Sequence, residues 1–301
     1  DEEALFILSG SHNLLMMESV SQTLAGRTIL FYLQPLSYAE LKDHLPANPS
    51  VNELIWRGGY PRIYDKDLDP ERFYQSYVAT YVERDVRQVR NIGDLGAFVR
   101  FLGVCAGFIG QTLNRSTLAD ATGVTRKTVE SWLSVLETSY VIYQLQPYFK
   151  NFKKRLVKSP KIYFRDTGLA CSLLGIHSPE AFYRYYQRGA IFENFILNET
   201  AKAFYNEGRQ PSMYFWRDSN QHEIDLLLNL GYALRPVEIK SGATYNRKYF
   251  KQINWFTEVA DVPLVQPTVI YGGEEEFTMA EGKLISWQNA ASLTQDEPNK
   301  R

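Results

Sequence analysis

Cysteine is scarce: the 301 residues contain 2, Cys105 and Cys171. Two cysteines this far apart make neither a disulfide framework nor a thiolate metal cage, so a reducing compartment, the cytoplasm, is expected. An excess of one charge is also missing. The formal net charge is −1, so any attraction for nucleic acid has to be local. No apolar run approaches the roughly 18 residues of a membrane span, nothing at the start reads as a signal peptide, and no membrane partner is expected. No G-x-x-x-x-G-K-[ST] phosphate loop occurs, and no repeats or low-complexity tracts stand out. The chain opens on Asp1 rather than Met, so a trimmed N-terminus is expected. What is present is a hydrophobic content of 45%, ordinary for a globular protein, on a chain of a length that suits two or three domains.

The richest stretch runs from His222 to Gly242, HEIDLLLNLGYALRPVEIKSG. Strands over His222–Leu228 and Ala233–Lys240 are expected to flank a turn at Asn229–Gly231. Alternation puts Glu238 and Lys240 on one face, with Val237 and Ile239 on the other. A hairpin centred near Leu230 sets Asp225 about opposite Pro236, on the Glu238 face, with Ile224, Leu226 and Leu228 toward the core. Diagonal neighbours then lie about 7–8 Å apart, within reach of one shared ion. A slip of one residue would turn Asp225 away. Carboxylate oxygens suit a hard cation such as Mg²⁺ or Mn²⁺, and a neighbouring lysine can stabilise developing charge on phosphate. A third acid, Glu193, falls on a helix expected over Gly189–Asn206. Leu197, Thr200 and Phe204 share its face, where a carboxylate is costly unless paired or metal-bound.

Glu193, Asp225 and the Glu238–Ile239–Lys240 triplet resemble the PD-(D/E)xK nuclease superfamily, with Ile224 standing where the name-giving pattern has proline. The resemblance implies Asp225, Glu238 and Lys240 as catalytic residues, Glu193, Asp225 and Glu238 as metal ligands, and Mg²⁺ or Mn²⁺ as cofactor. The competing reading is a hairpin with solvated charges on a fold without activity.

At the N-terminus, Ala4–Leu8 reads as a buried strand that lacks neighbours, and Ser9–Asn13 as a polar turn or helix-starting loop. SGSHN, then LAGRT (Leu24–Thr28), LQPLSYAEL (Leu33–Leu41), RGGYPR (Arg57–Arg62) and YVERDV (Tyr81–Val86) together resemble a bacterial and archaeal AAA-type ATPase family. Members of that family carry a C-terminal domain of unknown function. The resemblance covers essentially the whole chain and puts Asn13 and Arg27 at positions expected near nucleotide. Without the phosphate loop, ATP is implied only if a further segment supplies it.

In the middle, helices are expected over Glu71–Val89 and Leu95–Gly107. Glu83–Asp85 is read either as a solvated charge run or as a face for a neighbouring domain. A helix carrying Leu118 and Ala119, a turn at Gly123, and a second helix capped by Thr125 form a helix-turn-helix pattern. Val129, Trp132, Leu133 and Leu136 are its core face, while Arg126, Lys127, Thr128 and Ser131 are placed to meet a groove. Strands over Tyr140–Leu145 and Ile162–Arg165 complete a winged helix. Its wing carries Lys150, Lys153, Lys154, Arg155, Lys158, Lys161 and Arg165, interleaved with Tyr148, Phe149 and Phe152, a pattern suited to phosphates and bases. A protein-binding wing is the alternative.

Further strands are expected over Met213–Arg217, with Trp216 and Arg217 near an edge, and over Pro267–Tyr271 and Leu284–Trp287. A helix is expected over Lys248–Val259, with Gln252 either orienting substrate or merely exposed, and Thr294–Arg301 is expected to fray. The fold class is thus α+β, mixed. Residues 1–55 read as a remnant of an AAA-type ATPase domain, 56–175 as a helical and winged-helix domain, and 176–292 as a nuclease-like domain, followed by a tail over 293–301. Two functions compete. One is metal-dependent nucleic-acid processing with nucleic acid as partner. The other is a non-catalytic regulatory half of an ATPase whose partner is the ATPase segment or another protein.

Overall fold

The computed structural model describes residues 29, 31–46, 49–81, 92, 94–149 and 158–295. Expectations for Ala4–Leu8, Asn13, Arg27, Glu83–Asp85, Lys150, Phe152, Lys153, Lys154 and Arg155 lie outside them.

The described chain is a mixed α/β structure, helical in its first half and built on a sheet in its second. Helix α1 (Tyr38–Leu41) starts with a capping box between Ser37 and Glu40. Helices α2 (Val51–Arg57), α3 (Pro61–Asp65) and α4 (Pro70–Tyr81) follow. The expected boundary at residue 55 falls inside α2, whose Leu54 and Ile55 are buried in the larger of two cores. A one-sided apolar helix must bury that face somewhere, and α2 does so against later parts of the chain.

A buried carboxylate, Asp166, fastens this region. Its oxygens accept from Gly59 N at 2.8 Å, Tyr74 Oη at 2.7 Å and Leu169 N at 2.9 Å. Gly58 has φ 71°, and a Cβ there would lie 1.9 Å from Tyr74 Oη, so only glycine allows this approach. Hydrogen bonds to a charged group contribute about 1.5–3 kcal/mol each. Asp166→Ala orphans three donors and is expected to cost about 3 kcal/mol or more. Urea unfolding checks this, and an unchanged midpoint would contradict it.

Helix α5 (Leu95–Gly107) leads to α6 (Arg115–Thr122) and α7 (Arg126–Thr138), joined through Gly123 in the left-handed conformation. Thr125 caps α7 by accepting from Thr128 N at 3.1 Å, and Val129, Trp132, Leu133 and Leu136 are buried. Strands β1 (Ile142–Leu145) and β2 (Lys161–Phe164) pair antiparallel. Beyond β1 the backbone joins the edge of the next strand, β3 (Met213–Arg217): Phe215 N donates to Gln146 O at 3.1 Å and Tyr148 N to Phe215 O at 2.8 Å. This stitches the small sheet to the large one.

Helices α8 (Thr167–Leu173), α9 (Pro179–Arg184) and α10 (Arg188–Asn206) lie between the two sheets in sequence. Strands β4 (Glu223–Asn229) and β5 (Leu234–Lys240) extend β3 antiparallel. After α11 (Lys251–Val259), strands β6 (Thr268–Tyr271), β7 (Phe277–Met279) and β8 (Gly282–Ser286) complete a six-stranded sheet in the order β3-β4-β5-β6-β8-β7. The β5–β6 and β6–β8 pairs are parallel. One face carries Val237, Ile239 and Ile270 into the larger core with Ile191, Phe192 and Ile196 of α10. The other carries Leu234, Val269 and Leu284 into a smaller core with Ile253 and Phe256 of α11.

Trp216 and Arg217 lie on the edge strand β3, as expected, and Trp216 is nevertheless fully buried because Trp255 and Phe256 cover its ring. One expectation is corrected. The tail is anchored at its start: Thr294 is buried, and Arg235 donates to Leu293 O at 2.5 Å and Gln295 O at 3.1 Å. Among the described residues no helix is long and apolar enough to cross a membrane.

Candidate functional site

The hairpin register differs from expectation by two residues. Leu226 pairs with Val237 and Leu227 with Pro236, so continuing the ladder sets Asp225 opposite Glu238 rather than Pro236. The cause is the turn, which closes over Leu230–Ala233 through Leu230 N donating to Ala233 O at 3.0 Å. A shift of two preserves the face, so Asp225 still reaches the Glu238–Lys240 pair. On its other side β4 bulges. Tyr214 pairs with Leu227 and Trp216 with Ile224, which leaves Phe215 against both Asp225 and Leu226. A bulge re-aims side chains. Accordingly Ile224 is buried with Leu227 in the smaller core, not with Leu226 and Leu228 as expected.

The ladder ends at this point, and Asp225 caps it: Oδ2 accepts from Ile239 N at 2.8 Å. Lys240 Nζ lies 3.7 Å from the same oxygen and 2.5 Å from Glu238 Oε1. Glu238 Oε2 is buried with no hydrogen-bond partner among the described residues. Glu193, five residues into α10, has its Oε1 bonded by Lys161 Nζ at 3.0 Å and by Tyr163 Oη. Lys161 also meets Glu223 Oε1 at 2.5 Å, and Glu223 Oε2 lies 3.3 Å from Arg217 Nε. The cluster is therefore four carboxylates and three cations where the two sheets join.

Each predicted metal ligand thus has one oxygen fixed by a donor and a second oxygen without a hydrogen bond among the described residues. Among those residues, no three His, Cys, Asp or Glu side chains are grouped to enclose an ion as they stand. Lys240 bridges one pair of acids, Asp225 and Glu238, and Lys161 bridges the other, Glu193 and Glu223.

Burial, then Asp225, pushes the Glu238 carboxyl up to about 8, against the pull of Lys240. Burial pushes Glu193 up to about 7, opposed by Lys161 and assisted by Asp225. Burial alone would lower the two lysines, but the adjacent acids outweigh it and hold both above the ordinary lysine range. A carboxyl whose folded pKa exceeds its unfolded value keeps a proton that the unfolded chain has released. Its stabilising contribution is full below the unfolded value near 4.5 and is lost as pH rises through about 7 and 8. Melting temperature is thus expected to fall across that window, and Glu238→Gln is expected to flatten the fall. Equal slopes for the two proteins would contradict the assignment.

The predicted nucleic-acid residues are only partly available to a ligand. Arg126 and Lys127 are exposed at the start of α7, with Arg126 Nε 3.6 Å from Glu130. Thr128 is half-buried and its hydroxyl meets that of Thr125 at 2.8 Å, while Lys158 is exposed. Two wing cations turn inward: Lys161 is buried in the cluster, and Arg165 stacks over the Tyr143 ring at 4.5 Å. Tyr148 is buried, whereas Phe149 is exposed. Lys161, Arg165 and Tyr148 lie where the small sheet abuts α10 and β3, so these three side chains pack against the protein. Gln252 sits half-buried on α11 and has no hydrogen bond to the cluster among the described residues.

Sequence reasoning missed Lys161, Tyr163, Glu223 and Arg217 as parts of this cluster. The available signals were alternation in KIYF, which sets Lys161 and Tyr163 on one face, and Glu223 two residues before Asp225. Asn194 and Asn198 were also missed. Asn194 Oδ1 accepts from Phe164 N at 2.9 Å, and Nδ2 groups of Asn194 and Asn198 donate to Phe164 O at 2.8 and 2.9 Å. They lock β2 onto α10.

Residues 48–180 match a family described as a domain of unknown function (DUF8612), and residues 188–290 match a domain of unknown function (DUF4143). Uncharacterized proteins of Mycobacterium tuberculosis and Mycobacterium bovis are each 29% identical over 281 residues, covering 92% of this chain and 60% of theirs. The chain thus spans about 60% of the length of the curated relatives it matches. No solved structure matches it. Lys161 and Tyr163 fall within the first matched region and Glu193, Asp225, Glu238 and Lys240 within the second, so the charged cluster is similar in each half to a different domain of unknown function.

Proposed function

We propose that this region processes nucleic acid, with a PD-(D/E)xK-like site for metal-dependent phosphodiester hydrolysis and a winged-helix module that holds the substrate. The observation that carries the reading is the set of three acids, Glu193, Asp225 and Glu238, each tied by one oxygen and without a hydrogen bond at the other among the described residues, with Lys240 between Asp225 and Glu238. The buried, unpartnered Glu238 Oε2 fits a cation, and an all-oxygen donor set suits Mg²⁺ or Mn²⁺. A bound ion would supply Lewis-acid activation of water and neutralise phosphate charge. Asp225, Glu238 and Glu193 would hold it. Lys240, fixed by Asp225 and Glu238, is placed to donate to a phosphate oxygen as charge develops there. Because Glu238 and Glu193 must lose protons to act as ligands, ion affinity should rise with pH toward about 8.

Arg126 and Lys127 at the open end of α7, with Lys158 before β2, are the described candidates for phosphate contacts. Removing Arg126 and Lys127 together should weaken DNA or RNA binding and reduce its salt slope by about one to two phosphate contacts. Asn13 and Arg27, which the AAA-type ATPase likeness places near nucleotide, lie outside the described residues and contribute nothing to this reading.

The test is cleavage of end-labelled DNA and RNA with Mg²⁺ or Mn²⁺, alongside Mn²⁺ calorimetry. Cleavage and ion uptake, both lost in Asp225→Asn, are expected; indifference of both to that change rejects the site. One observation favours the non-catalytic alternative: Lys161 and Lys240 already bridge the acids in pairs. Absence of Mn²⁺ binding at a pH above about 8, where Glu193 and Glu238 have both released their protons, would select it.

A further inference from the structure

We propose that Lys161 and Tyr163 of β2 are positioning residues for Glu193, so that the acidic site is completed by the small sheet and does not belong to the hairpin and α10 alone. The inference rests on the metal-site reading and deepens it. Both donors fall on the same oxygen, Oε1 of Glu193. That leaves Oε2 without a hydrogen bond among the described residues, beside Gly110, where an added Cβ would lie 3.7 Å from it. Two donors on one oxygen restrict rotation of the carboxylate about its terminal bond.

The donors are themselves held. Lys161 is 2% exposed, and Glu223 takes its ammonium at 2.5 Å while Arg217 occupies the other oxygen of Glu223. The side-chain amides of Asn194 and Asn198 bond the main chain of Phe164 and Arg165 and hold β2 against sliding along α10. The chain beyond β1 bonds to Phe215 of β3, next to the bulge that carries Asp225. β2 is therefore held to α10 directly, and the chain after β1, its pairing partner, is held to β3. Lys161 and Tyr163 act through Glu193, to whose Oε1 both donate.

Partners that orient a metal ligand typically change ion affinity by about 10–100-fold when removed. Tyr163→Phe keeps the buried ring and deletes one donor. It is expected to weaken Mn²⁺ binding about 10-fold in calorimetry while circular dichroism and melting remain near the unaltered protein. Lys161→Met should weaken it further, and Lys161→Arg, which retains a cation, should restore most of it. Tyr143→Phe is the control, since the Tyr143 ring stacks on Tyr163 at 5.7 Å and its hydroxyl has no hydrogen bond among the described residues. Ion affinity unchanged in Tyr163→Phe overturns the positioning role, as does an equal loss in Tyr143→Phe, which would mean packing alone matters. If Lys161→Met does not fold, Tyr163→Phe decides. Failure of the unaltered protein to bind Mn²⁺ instead rejects the metal site itself, and the positioning role with it.

Discussion

Asp225→Asn is expected to abolish Mn²⁺ uptake and reduce metal-dependent cleavage to background, while Lys240→Ala is expected to spare ion uptake and still lower cleavage about 10²–10³-fold. The contrast follows from what each group touches. Asparagine keeps the shape of Asp225, and its amide oxygen can still accept from Ile239 N, now at 2.8 Å, so the strand end persists. What it loses is the negative charge that attracts a cation and holds Lys240 in place. Lys240 is itself a cation 2.5 Å from Glu238 and 3.7 Å from Asp225, so deleting it removes a competitor of the ion. Ion affinity should therefore hold or rise in Lys240→Ala, while stabilisation of the transition-state phosphate is lost. Calorimetry and cleavage on the same two proteins separate the roles. Undiminished Mn²⁺ uptake by Asp225→Asn would end the metal-site reading, whatever the cleavage result.

Lys161→Met is expected to destabilise the fold by about 3–5 kcal/mol, the usual cost of removing one partner of a buried ionic group. Lys161 is almost wholly enclosed, and its loss leaves Glu193 without a cation and Glu223 with Arg217 alone. Glu223 is 24% exposed, so water screens part of the penalty and the lower end of the range is expected. The triple change Lys161→Met, Glu193→Gln, Glu223→Gln removes the charges together and should recover most of the loss, because replacing a whole buried ionic group costs far less than breaking it. Urea unfolding of the single and triple variants measures the difference. A single variant within about 0.5 kcal/mol of the unaltered protein would mean the cluster is solvated, in conflict with its burial.

Local signals carried much of the secondary structure. Thr125, Gly123 and the 3.6-residue spacing of Val129, Trp132, Leu133 and Leu136 specify the α6–α7 corner, since cap, turn and apolar face agree. The range Leu95–Gly107 follows from an almost continuous apolar run. Alternation in the hairpin put Asp225 beside Glu238 and Lys240, and that grouping survived a register shift because the shift was even. Weaker signals failed. The short strand Phe277–Met279 is exposed and has no apolar run to reveal it, and α8 begins at a cap, Asp166, whose partners Gly59 and Tyr74 are about a hundred residues away in sequence.

Residue types and short-range periodicity thus determined which side chains could do chemistry on the hairpin and on α10, because strand alternation and helical repeat are properties of the local backbone. The tertiary structure alone decided that Lys161 is not a free phosphate-binding cation but the buried partner of Glu193 and Glu223, and that β2 shares in the site at all. A lysine's ammonium reads the same in sequence whether it faces water or carboxylates. Which of these it meets depends on the edge pairing of the segment after β1 with β3, a contact set by long-range packing and by no pattern within either segment.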